Sequence, residues 1–266
     1  VFRDRIIKLE SIKSNISLKS LININFALSE ISISTKSLAI KDLVTFIRIQ
    51  NNNTKLFIAE QFIKSGYLVA DLKLEFDELG NVKNNYQING VVNDGQISLL
   101  KRYNLDKINF IFEINEKNLK FNDIKLSLNN KNFFIPKLIA SKQNNEYLIS
   151  GRVNNKKISL KKEDIKNLIK GELQELDIKE ITFSSKNDFK FKVDKKFKIK
   201  NLSIKSDINL DRIKLKNFFR LNSIFPKIKK EIIFKNQKIK LDYKKNNFKV
   251  IGEGEVLLQD EIDKIK

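Results

Sequence analysis

Apolar and polar residues alternate along most of this chain, nowhere more clearly than from Leu105 to Asn129, LDKINFIFEINEKNLKFNDIKLSLN. Ile108, Phe110, Phe112 and Ile114 share one face of an extended strand, while Asn109, Glu113 and Asn115 take the other, interrupted only by Ile111. A period of two marks a strand that is wet on one side and apolar on the other. Asn115 to Asn118 form a polar turn, after which Leu119 and Phe121 continue the apolar face. The phase slips near Asn122 and Asp123, and Ile124, Leu126 and Leu128 resume it, as a bulge allows.

The same alternation recurs on both sides. Val1 to Leu21 predicts two short strands, and Ile22 to Ile40 a cleaner one through Ile24, Phe26, Leu28, Ile31 and Ile33. A short helix is predicted over 55–64, capped by Thr54, with Leu56, Ala59 and Ile63 at helical spacing and Gly66 beyond its end. Leu68 to Asp77 then places Leu72, Leu74 and Phe76 on one face, turns through Glu78 to Asn81, and returns over Asn84 to Val92. Asn93-Asp94-Gly95 reads as a turn into Gln96 to Leu100. Beyond the opening stretch, Asn132 to Ser141 and Glu146 to Val153 pair, and Asn154-Asn155 turns into Ile158 to Leu160. Strands about ten residues apart, with turns between, are the pattern of an antiparallel meander.

Lys161 to Lys170 has helical spacing at Ile165, Leu168 and Ile169 and predicts a helical seam over 161–171 between β regions spanning 1–160 and 172–266. In the second region, Leu176 to Ser184, Phe189 to Val193, Phe197 to Ser206 and Ile208 to Leu215 are predicted strands. Phe189, Phe191 and Val193 share a face. Lys216 to Phe225 predicts a short helix or loop plug ended by Pro226. The last two strands carry Ile239, Leu241 and Tyr243, then Phe248, Val250 and Val256, with Gly252 and Gly254 marking a bend or a close backbone approach.

Composition narrows what this sheet can do. The 266 residues include no cysteine and no histidine, which removes disulfides, thiolate nucleophiles, the usual zinc ligands and the commonest general base. The nearest to paired acids are Glu163-Asp164, where a helix start favours them, and Asp260-Glu261-Asp263 in a polar tail. Gly252-Glu253-Gly254 lacks the third glycine of a dinucleotide loop. A non-enzymatic role without cofactor or metal is therefore expected. The net charge of +20, from 52 Lys and Arg against 32 Asp and Glu, raises nucleic acid or anionic membrane as partners. It is nearly all lysine, however, and comes with abundant asparagine and isoleucine, residues of A- and T-rich codons. In Phe189-Lys190-Phe191-Lys192 the alternation puts rings and lysines on opposite faces, unlike a base-stacking platform, so no specific nucleic acid is expected.

Two prolines and eight glycines are sparse for a sandwich with many tight turns. About 16 to 18 strands of some nine residues predict an extended antiparallel sheet rolled into a trough roughly 80 Å long at ~4.8 Å per strand. Its apolar side is more than a soluble monomer leaves uncovered, and lipid tails would cover it. Candidate lining positions are Leu72, Leu74, Phe76, Ile108, Phe110, Phe112, Ile114, Phe121 and Leu126 in the first region. In the second they are Phe189, Phe191, Val193, Ile239, Leu241, Phe248 and Val250.

The run from Tyr67 to Gly151, with YLVADLKLEFDELGNVKNNYQINGVVNDGQISLL, KINFIFEI and YLISG, resembles the AsmA-like proteins of Gram-negative envelopes. RLNSIFPKIKKEIIFKNQKIKLDY and FKVIGEGEVLL are similar in style. The resemblance covers about two thirds of the chain and is one of pattern, without a catalytic motif. It implies an apolar-lined β-groove in the periplasm, anchored in the inner membrane by a segment absent here and carrying phospholipid towards the outer membrane, with envelope proteins as possible partners. Because the chain starts at Val1, inside a strand-like pattern, and lacks any Met, a piece of a longer protein is expected. The alternative is a structural or assembly module whose strands close over a dry core.

Overall fold

The computed structural model describes residues 8–22, 26, 28–50, 54–99, 103–144, 146–168, 178–196, 198–216, 231–245, 247–257 and 262–265. It divides into two compact units, Val1–Ile149 and Ser150–Lys266. Both are built from antiparallel strands hydrogen-bonded in sequence order, with a few short helices beside them, and neither closes into a barrel.

In the first unit β1 (Leu9–Ile16) leads through α1 (Leu18–Ile22) to β2 (Leu28–Thr35). The short β3 (Leu38–Ala39) is followed by α2 (Ile40–Gln50) and α3 (Thr54–Phe62). The meander then runs through β4 (Ile63–Glu75), β5 (Gln87–Leu99), β6 (Tyr103–Asn115), β7 (Asn118–Leu128) and β8 (Lys131–Gln143). The expected helix over 55–64 is α3, whereas α2 was not foreseen. The residues around Leu18 to Ile22 form a helical turn in place of a strand, and the second strand starts only at Leu28.

The turns are made by short polar side chains. The Asn115 carboxamide oxygen accepts from the amides of Lys117 (3.0 Å) and Asn118 (2.8 Å), holding the β6–β7 reversal. Asn129 and Asn130, at φ 47° and 65°, supply the left-handed pair that a tight β7–β8 hairpin needs.

β9 (Glu146–Lys161) begins in the first unit and continues into the second, where it leads to α4 (Lys162–Leu168), which lies inside the predicted helical segment. β10 (Ile178–Asp194), β11 (Ile199–Lys216), β12 (Glu231–Lys244), β13 (Asn247–Leu257) and the short β14 (Ile262–Ile265) follow. The proposed plug over 216–225 lies, apart from Lys216, outside the described residues, as do Asp260 and Glu261 of the polar tail.

Several expected turns are interior to strands. Asn93-Asp94-Gly95 sits within β5 and Asn154-Asn155 within β9, while the two strands predicted on each side of 185–188 and of 207 are the single long strands β10 and β11. The described residues thus hold fourteen strands of up to 18 residues, fewer and longer than expected. At Asp94 the physical reason is that Asp tolerates left-handed backbone (φ 51°), so it makes a bulge without ending the strand, whereas Asn154 and Asn155 continue β9 without positive φ.

Those bulges form a line. Gly66 in β4 (φ 132°), Asp94 in β5 (51°), Lys107 in β6 (53°) and Asp123 in β7 (52°) all adopt positive φ. Register shifts fall beside each of them, between Ser65 and Tyr67, between Val92 and Gly95, and between Asp106 and Ile111. Each bulge resets the alternation by one residue. Leu105 therefore faces Leu128 while Phe112 faces Phe121, although one residue separates their parities. The phase slip at Asp123 is one member of this crease, which keeps the apolar side chains of long strands on one face.

Candidate functional site

The first unit gathers its apolar face in cross-strand rows. Ile33 faces Leu72, then Ile88, Ile114, Leu119 and Ala140 in turn across β2 and β4–β8. The next row joins Ala70, Gly90, Phe112, Phe121 and Leu138, and a third joins Leu68, Val92 and Phe110. Beyond the crease, Leu126 faces Phe133 and Ile124 faces Ile135. Leu72, Leu74, Ile108, Phe110, Phe112, Ile114, Phe121 and Leu126 thus lie on one sheet face. Phe76 stands just past β4, bridged to Val82, with its ring 5.7 Å from Phe26.

The centre of this face is a packed cluster of Ala70, Val92 and Phe112, with Ile88, Phe110, Ile114 and Phe121 against it. The Phe110 and Phe121 rings meet edge to face at 5.6 Å, a favourable aromatic geometry. Gly90 is required here: a Cβ would come within 2.4 Å of the Val69 carbonyl oxygen and 2.5 Å of the Phe112 ring. Ile40 of α2 packs on the cluster from above. The α2–α3 pair is clipped together by Arg48 Nε donating to Glu60 at 2.6 Å, with the Thr45 hydroxyl donating to the same carboxylate.

Burial nevertheless stays shallow. The most buried hydrophobic side chain among the described residues is Val256, still 5% exposed, and none is fully enclosed. A closed sandwich core interdigitates two layers and encloses its central side chains. Among the described residues, neighbours on the same sheet, the helices beside β4 and α4 beside β10 do the covering.

The opposite face carries what alternation missed. Val69, Val91 and Ile111, cross-strand neighbours, are 41%, 37% and 44% exposed on the otherwise polar side. Val91 and Ile111 line, with Asp71, Asn89, Glu113 and Lys120, a hollow of about 600 Å³. Ile111 alone hinted at this strip, since the valines fall within the run Leu68–Ala70 and beside Val92, where parity is hard to assign.

In the second unit, Phe189 faces Ile204, then Tyr243 and Phe248, while Ser206 faces Leu241 and then Val250. Ser185, Ile208, Ile239 and Gly252 form the next row. Phe189 and Phe191 stack at 5.9 Å, and Val193 faces Ile199 at the end of the strand. The proposed lining residues are again on one face, but a polar seam crosses it. The Ser185 hydroxyl accepts from Asn155 Nδ2 and Asn187 Nδ2, both at 2.9 Å. Buried Gln237 donates from Nε2 to the carbonyls of Glu255 (2.7 Å) and Lys235 (3.1 Å). Its carboxamide occupies the space that a Cβ on Gly254 would need, a close approach by a side chain, whereas at Gly252 a Cβ would meet nothing nearer than 3.5 Å. The seam's signal in the sequence is Ser and Asn at alternate positions, Ser185 and Asn187, in phase with Phe189.

On the polar face, charges alternate across strands. Arg152 grips Asp188 through two bonds of 2.6 and 2.8 Å, Asp188 faces Lys205, Lys205 faces Asp242, and Asp242 faces Lys249. The Arg152 guanidinium holds the Asp188 carboxyl below its ordinary range. Lys73 does the same to Glu30 in the first unit, at 2.9 Å. These shifts belong to surface pairs, and no three Asp or Glu converge as metal ligands among the described residues. No helix among them is long and apolar enough to cross a membrane.

The fold and its faces define a class: an open antiparallel β meander, apolar on one side in each of two units. No protein-family model, curated protein or solved structure matches the chain.

Proposed function

We propose that this chain is a non-enzymatic lipid-binding and transfer segment, an apolar-lined β-groove that carries phospholipid between the inner and outer membranes of a Gram-negative envelope. One observation carries the reading: successive strands keep their apolar side chains on one face, through bulges that reset the phase, and among the described residues no second layer encloses them. Acyl chains are the ligand that such a surface takes without polar recognition. The resemblance to AsmA-like proteins supports the same reading and supplies the periplasmic location and the inner-membrane anchor of a longer parent. Phe110, half-buried at the border of the packed cluster, would meet the acyl chains.

The test is the lipid content of the purified chain by extraction and mass spectrometry. Phospholipid is expected in the native chain, and its loss in Phe110→Glu, with the strand signature in circular dichroism retained. Lipid-free native protein overturns the proposal. A second reading, a structural or assembly module, is favoured by one feature, the seating of Ile40 from α2 over Ala70, Val92 and Phe112. That reading expects protein partners and no lipid.

A further inference from the structure

The two hairpin ends of the second unit combine features that occur separately elsewhere in it. One joins β10, which ends at Asp194, to β11, which starts at Ile199, and the other joins β12, which ends at Lys244, to β13, which starts at Asn247, at the same end of the sheet. Ile204 faces Tyr243, so the first hairpin runs on about four residues further, roughly 13 Å at ~3.3 Å per residue. The step between them is a notch of about 380 Å³ lined by Ile199, Lys200, Asn201, Leu202, Tyr243 and Lys245.

Charge ceases to alternate here. The first hairpin carries Lys192, Lys195, Lys196, Lys198 and Lys200, and the second Lys244, Lys245 and Lys249. Asp194 and Asp242 are the acids within the same two stretches. Asp194 is engaged inside its own turn, accepting from the amides of Lys196 (2.9 Å) and Lys198 (3.0 Å), with Lys200 Nζ at 3.3 Å. The Lys198 amide is the main cause that holds its carboxyl below the ordinary range, so it stays an anion of the turn. Lys192 and Lys200 stand directly opposite each other, like charges on adjacent strands at the hairpin end.

Apolar side chains reach solvent at Ile199 beside the first hairpin and along β13 beyond the second. Ile199 is 58% exposed, Phe248 64%, Val250 51% and Ile251 57%. Cross-strand pairing puts Phe248 and Val250 on one face and Ile251, opposite Lys240, on the other. Exposed aliphatic and aromatic groups ringed by lysine ammoniums match the boundary of an anionic bilayer, where apolar groups enter the acyl region and cations stay among headgroups. A nucleic acid is a poorer fit, since isoleucine and valine offer no stacking surface and the patch has no arginine to read a base edge.

We propose that these two hairpin ends are a docking surface for an anionic lipid bilayer. The surface shares Phe248 and Val250 with the groove lining, but lipid content of the purified chain reads one and vesicle binding reads the other, so either can fail alone.

The experiment is vesicle co-sedimentation of the full 266-residue chain. Vesicles of phosphatidylcholine alone are compared with vesicles of phosphatidylcholine and phosphatidylglycerol, at an ionic strength of about 0.15 M. Binding to the mixed vesicles only is expected, falling as salt rises. Each lysine near such a surface is worth about fivefold in partitioning, so the combined Lys195→Gln, Lys196→Gln, Lys198→Gln and Lys245→Gln variant loses at least about a hundredfold. All four side chains are exposed, so the variant keeps the fold, checked by circular dichroism. A matched variant of exposed first-unit lysines, Lys83, Lys117, Lys137 and Lys142 to Gln, binds as the parent does. Phe248→Ser lowers binding to mixed vesicles with every lysine present. Equal binding to both vesicle types, an undiminished quadruple variant, or an equal loss in the matched variant overturns the proposal. So does duplex DNA bound more tightly than the mixed vesicles through these same lysines.

Discussion

The two units use the same antiparallel meander to different depths. In the first, the apolar face converges on Phe112, 6% exposed, beneath Ile40 and among Ala70, Val92 and Phe121. In the second, the corresponding face is crossed by Ser185, Asn187 and Gln237, and its outer strand leaves Phe248 64% exposed. Charge divides the same way: the second unit has 31 Lys and Arg against 17 Asp and Glu, a net +14 within the chain's +20. One pattern of alternation therefore yields a packed apolar floor in one unit and a thinner, polar-seamed, basic sheet in the other. Strand periodicity fixes which side is apolar, and the neighbours decide how dry that side becomes.

The largest effect that can break this contrast is truncation of the two aromatics. Phe112→Ala is expected to cost about 3 to 5 kcal/mol, the range for a large buried ring. Phe248→Ala should stay within about 0.5 kcal/mol, as for an exposed site. Urea unfolding of both variants reads the difference, and equal losses would mean that the two faces are alike.

Backbone approach sharpens the contrast at an intermediate scale. Gly90→Ala forces a Cβ against the Val69 carbonyl and the Phe112 ring and should cost about 1 to 3 kcal/mol, as overpacking does. At Gly252 a Cβ finds its nearest atom, on Ile239, at 3.5 Å, an ordinary contact. Gly252→Ala should therefore stabilise by up to about 1 kcal/mol through the unfolded chain. Thermal midpoints moving in opposite directions are the expected result.

The smallest effect concerns the charge ladder of the second unit. Because Arg152 depresses the Asp188 carboxyl in the folded state, the pair's stabilisation is present above the unfolded pKa of about 3.9. It is lost as pH falls through the lower folded value. Asp188→Asn should therefore differ from the parent at neutral pH and converge with it in acid, as read by urea midpoints across the acid limb. A constant difference at every pH would remove the ladder from the account.

The hairpin at Asn115–Asn118, the bulge at Asp123, the helices near 55–64 and 161–171, and the shared face of Phe110 and Phe112 were legible because each depends on local chemistry. Asn154-Asn155 continues β9 without positive φ, and Asn93-Asp94-Gly95 was misleading for an equally local reason. A residue that can adopt positive φ serves a turn or a bulge, and only the register of the neighbouring strand selects one. α2 was missed between a strand and α3. The polar seam around Ser185 and the exposed Val69, Val91 and Ile111 were missed because a pattern of period two is blind to what stands across the next strand.

By itself the sequence determined a mainly β chain whose long strands keep one side apolar, with no histidine or cysteine chemistry. Side-chain alternation and residue chemistry are properties of the chain as written. Only the tertiary structure decided that the bulges of β4–β7 align into one crease and that α2 settles on one unit's apolar floor. It also decided that Lys192 meets Lys200 at a hairpin end beside Ile199 and Phe248. Each of these depends on which residues far apart in the chain are brought opposite each other, and pairing register is set by the packing of whole strands.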